Sequence, residues 1–92
     1  MPYIPQERRQ ELYPLISKVA GEIRAAVESG IGKRGGEVNF VICSLIDMLY
    51  DRNYTELSAA IGDVECAKLE LYRRLLGPYE DGKVTEHGDV FA

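Results

Sequence analysis

NYTELSAAIGDVECAKLELYRRLLGP, residues 53–78, reads as one long element with a marked start and stop. Turned ~100° per residue, Leu57, Ala60, Ile61, Val64, Ala67, Leu71 and Leu75 gather on one side, which is the helical period and not the alternation of a strand. Asn53 stands where an N-cap belongs, with Glu56 three residues on, the spacing of a reciprocal capping pair. Gly77 and Pro78 supply the residue that suits a helix exit and the one that cannot continue it. The stretch therefore predicts a helix from about Tyr54 to Leu76.

Upstream, GEVNFVICSLIDMLYDR carries Val38, Val41, Ile42, Leu45, Ile46, Met48 and Leu49 on a broad apolar face, again at helical spacing. Its β-branched residues suit strands, but the run is too long for one and keeps the period of 3.6. Phe40 lies off that face. Before it, SGIGKRGG ends the preceding helix and makes a connection. A glycine-rich loop with Lys33 ahead of a helix invites comparison with phosphate cradles, yet it does not fit GxxxxGK[ST] and follows no strand. From Pro14 to Glu28, the apolar face of Leu15, Ile16, Val19, Ala20, Ile23, Ala26 and Val27 opposes Ser17, Lys18, Glu22, Arg24 and Glu28. Pro14 is expected to interrupt or kink the chain here, after a short helix beginning near Pro5 and ending at about Leu12. Beyond Gly77, YEDGKVTEHGDVFA is rich in turn formers and predicts an extended segment or a small hairpin.

These elements make an all-α chain: three main helices in a small antiparallel bundle, a short N-terminal helix, and an extended or turn-rich C-terminal tail. A length of 92 residues fits one domain over 1–92, with an arm at 1–13 and a tail at 77–92. A chain this short buries a small share of its surface, so association between copies is an expected source of stability, with a dimer favoured. Hydrophobic residues at 46% and charged ones at 28% exclude a disordered or fibrous class. A formal net charge of -4 disfavours nucleic acid as a partner. No signal-peptide pattern or membrane-length apolar run occurs, so a cytoplasmic protein without a membrane partner is expected. Cys43 and Cys66 stand outside CxxC spacing and are read as buried thiols, with no metal and no cofactor implied.

No nucleophile, base and metal-ligand set assembles into a catalytic signature, and no catalytic residue is assigned. Lys68 is the least ordinary position, because helical phase places it inside the stripe of Val64, Leu71 and Leu75. Such a lysine either extends its stem over apolar surface or is held by a carboxylate. Glu65 and Tyr72 flank it, so the group suits an anionic ligand or the locking of a helix interface. Arg73, Arg74, Tyr72 and Tyr79 suit phosphate contact and base stacking, or the end of a helix dipole, with Glu80 and Asp81 folding back toward the arginines. The carboxylates Glu37, Glu65 and Glu70 raise an alternative, a metal-dependent nucleotide or phosphate hydrolase, but the ExxE spacing of such enzymes is absent. His87, beside Glu86 and Asp89, reads as part of a surface turn.

MPYIPQERR at the start, GEVNF opening the second long helix, IGDVECAKLELYRRLLGPYEDGK and the final HGDVF together resemble a small uncharacterised family of bacterial, archaeal and viral proteins. Its corresponding strings read much like GELNY, LYRR with PYED, and NGDVY. His87 stands where that family has asparagine, which weakens a catalytic histidine. The resemblance implies a helical fold and transfers neither an activity nor site residues. The functional expectation is a small interaction protein that self-associates, with a small RNA-binding module through Arg73, Arg74 and the tyrosines as a further alternative to the hydrolase.

Overall fold

The computed structural model describes residues 3–91, and over these the chain is helical, without strands. Four α-helices follow in order: α1 (Gln6–Glu28), α2 (Arg34–Leu49), α3 (Tyr54–Leu71) and α4 (Gly77–His87), with a π-helical turn at Tyr72–Leu76 between the last two. The all-α reading holds. The chain divides into two compact units, Met1–Asp51 and Arg52–Ala92. The expected arm and tail reach past the described residues at 1–2 and 92.

In the first unit, α1 opens on Pro5, whose φ of -59° suits a helix start, and Glu7 places an acid in the first turn. It then runs through Pro14 without stopping, which corrects the expected end of a first short helix at about Leu12. A proline inside a helix removes one backbone hydrogen bond, here to Gln10. Gln10 is exposed, so water can take the orphaned carbonyl, and long helical runs on both sides hold the geometry. The exit is a Schellman arrangement: the Ile31 amide donates to the Ala26 carbonyl at 3.0 Å and the Gly30 amide to Val27 at 3.1 Å. That turn places Gly30 at φ +81°, where a side chain is strained.

α2 follows after Lys33, and the Glu37 carboxylate folds over Gly32, where an added Cβ would lie 3.0 Å from it. An acid of the chain itself thus occupies the neighbourhood of the glycine loop, against the phosphate-cradle comparison. Ile23 and Val27 of α1 and Val38 of α2 line a shared groove near the connection. No described residue of this unit is buried; Met48, at the end of α2, is 78% exposed.

In the second unit, the Asn53 side chain accepts the Glu56 amide at 2.9 Å, the expected cap of α3. The tail from residue 77 is where expectation and structure part. Gly77 and Pro78 do not stop the chain, which continues as α4 to His87. Pro78 lacks the amide that would reach the Arg74 carbonyl, and its ring crowds that group. The π turn admits one extra residue and absorbs the misfit: the Gly77 amide reaches five residues back, to the Tyr72 carbonyl. A Cβ on Gly77 would lie 3.2 Å from that oxygen, so glycine here permits the close approach. Pro78 then sits in the first turn of α4, where proline is tolerated. Gly88, at φ +87°, ends the helix, its amide donating to the Val84 carbonyl at 2.8 Å. Ala60, 1% exposed, is the one buried residue among those described.

Candidate functional site

The residues singled out in the sequence fall on consecutive turns of α3, the π turn and α4. Lys68 Nζ lies 3.4 Å from Glu65 Oε1, one turn back along α3. Both side chains are well exposed, so the pair contributes no more than a few tenths of a kcal/mol, about 0.3–0.5 for such spacing. Its use is positional: it draws the ammonium to one edge of the apolar stripe and leaves the stem across it.

Glu70 gathers both arginines. Its Oε2 accepts from Arg73 Nη2 at 2.8 Å and its Oε1 from Arg74 Nη1 at 3.4 Å. This replaces the expected fold-back of Glu80 and Asp81 toward Arg73 and Arg74, which needed a reversal at Gly77-Pro78 that the helix does not make. Instead Tyr72 Oη donates to Glu80 Oε1 at 2.7 Å, spanning the π turn. That hydrogen bond raises the Tyr72 phenol above its ordinary range, the negative charge on Glu80 adds to the effect, and slight desolvation and Asp81 follow. Tyr79 lies beneath Lys83, whose Nζ is 5.5 Å from the ring centroid. The sequence reading named both acids but gave them other partners, Glu80 the arginines and Glu70 a metal, whereas Glu70 holds the arginines and Glu80 the Tyr72 hydroxyl. Glu70 was legible from its spacing of three and four to the arginines, whereas Glu80 becomes a neighbour of Tyr72 only if the helix continues.

The structure adds a concave feature. Lys68, Leu69, Leu71, Tyr72, Leu75 and Leu76 line an apolar hollow at the junction of α3 and the π turn. Lys68 and Tyr72 are thereby brought to one place; Glu65, Arg73, Arg74 and Tyr79 lie outside the lining. Nothing in the hollow resembles a reaction centre: its walls are hydrocarbon, one phenol and one lysine stem.

Among the described residues no three of His, Cys, Asp and Glu gather where they could hold a metal ion. Glu65 and Glu70 are engaged with Lys68 and with the arginines. His87 is exposed, with Nε2 4.0 Å from Glu86 Oε2, at the last turn of α4. Both cysteines are exposed and outside any disulfide, correcting the buried-thiol reading. No described helix is long and apolar enough to cross a membrane.

No curated protein and no solved structure matches the chain. A family model does match, over residues 1–90 and so across both units, and by it the chain belongs to the family described as a domain of unknown function, DUF6899.

Proposed function

We propose that this protein works by association, as a small homo-oligomeric assembly protein whose helices complete their packing against a second copy. The observation that carries the reading is the exposure of apolar side chains: among the described residues only Ala60 is buried, while Leu45, Met48, Ile61 and Leu75 stay half or more exposed. A helix with an apolar face is stabilised mainly by covering that face, and each fully covered leucine or isoleucine contributes about 1.5–3 kcal/mol. The expected antiparallel bundle is, in this reading, completed between chains. The family match running across both units supports treating them as one working domain. Two thiols outside any disulfide suit a reducing compartment such as the cytoplasm.

A protein whose folding is linked to association unfolds at a temperature that rises with its own concentration. Thermal melts followed by circular dichroism between about 2 and 200 µM are expected to show a midpoint climbing by several degrees. A midpoint independent of concentration would remove the reading.

A further inference from the structure

α4 is helical with little to hold it so. Its 11 residues fall short of the ~12–15 below which an isolated helix is marginal in water, and Gly82, Val84 and Thr85 are weak helix formers. Every residue of it except Gly77 is exposed, and the element it packs against is the π turn beside it in the chain. At that junction the backbone ladder loses two successive α-type rungs: the Gly77 amide reaches Tyr72 instead of Arg73, and Pro78 has no amide to give. The side-chain contacts of α4 are equally local. Lys83 pairs with Glu86 at 3.2 Å, and Thr85 Oγ1 donates to the Asp81 carbonyl at 3.2 Å. Among the described residues one side-chain hydrogen bond leaves the helix, from Tyr72 Oη to Glu80 Oε1 at 2.7 Å, and it spans the junction.

We propose that the π turn is a hinge and the Tyr72–Glu80 hydrogen bond its latch, so that α4 opens and recloses as a unit while α3 stays helical. Hinge, latch and arm belong to one compact unit of one chain, so the proposal is independent of self-association. Helix order spreads along a chain through successive backbone hydrogen bonds, and where two α-type rungs are gone the coupling between α3 and α4 is weakest. Glu70 holds Arg73 and Arg74 from the α3 side, so the start of the turn stays with α3 and the movable part begins after it. Closed, α4 prolongs the helical run by about three turns. Open, the same residues are a turn-rich segment in which Asp81-Gly82 and His87-Gly88 can reverse the chain. The Tyr72 ring also lines the apolar hollow, so release of the latch frees one wall of it.

Native-state hydrogen exchange followed by NMR on the full chain tests hinge and latch separately. In the wild type the α4 amides from Asp81 to Gly88 are expected to exchange as a group, with protection at least about tenfold below that of the α3 amides. Equal protection in α3 and α4 would overturn the hinge, and this comparison needs no variant. Tyr72→Phe and Glu80→Ala are each expected to lower α4 protection about threefold or more while α3 is unchanged. Glu80 also supplies an acid to the first turn of α4, so a double variant separates the two effects. If the latch is the shared cause, Tyr72→Phe has no further effect once Glu80→Ala is present. Unchanged α4 protection in Tyr72→Phe, an equal loss in α3, or a Tyr72→Phe effect that persists in full beside Glu80→Ala would overturn the latch.

Discussion

Tyr72 and Glu80 carry an interaction whose strength follows pH. The phenol donates to the carboxylate at 2.7 Å and is raised in the folded chain. A group with a raised folded value contributes stability that is fully present below its unfolded value, about 10 for tyrosine, and that is lost as the pH climbs through the higher folded one. Alkaline titration is thus expected to show α4 losing helicity as Tyr72 ionises and faces Glu80 as a like charge. Tyr72→Phe should remove that step from the circular dichroism titration, and a step that persists in the variant would assign it elsewhere. Two further positions are set by local rules. Asn53→Ala removes the α3 cap and is expected to lower stability by about 1 kcal/mol, read from chemical denaturation. Gly30→Ala forces a side chain into φ +81° and should cost about 1–2 kcal/mol by the same measurement. Asn53 and the glycine connection after Glu28 were legible in the sequence because capping and helix exit depend on a few adjacent residues. The Tyr72–Glu80 tie was not, because it joins residues eight apart and needs the helix between them.

At the scale of elements, the helical period identified α2 and α3 and the start of α3 at Tyr54, since three or more turns of one apolar face leave little ambiguity, but it ran α3 on to about Leu76 where the α-helix gives way at Leu71 to the π turn. The proline positions were misread for one shared reason. An interruption or kink was expected at Pro14 and a stop at the Gly77-Pro78 pair, and the chain passes through both as helix. A proline forfeits one backbone bond and crowds one carbonyl, which a helix with long runs on either side survives. At Pro78 the accommodation is visible as the π turn, which suggests a direct test. Pro78→Ala restores the missing amide, so the Gly77 amide is expected to return to Arg73, four residues back, turning α4 by ~100° and separating Tyr72 from Glu80. Amide-to-carbonyl connectivities by NMR would show the change, with a gain in stability bounded by about 3 kcal/mol. A π turn that survives in Pro78→Ala would show that the proline is not its cause.

For the whole molecule, composition excluded a disordered class and the helices carry the expected apolar faces, yet among the described residues only Ala60 is buried. The thiols were misjudged: average burial of cysteine presumes an interior, and Cys43 and Cys66 are exposed. The stripe around Lys68 was visible from phase, whereas the hollow beside it was not, because its shape depends on the π turn. The uncovered apolar faces are what the proposed second copy would cover. The measurement that bears most directly on this is the mass of the full chain in solution. Sedimentation equilibrium at about 10 µM in ~0.15 M salt, where surface charges are largely screened, is expected to return twice the 10.3 kDa of the single chain. A mass of 10.3 kDa holding up to several hundred micromolar would contradict the account.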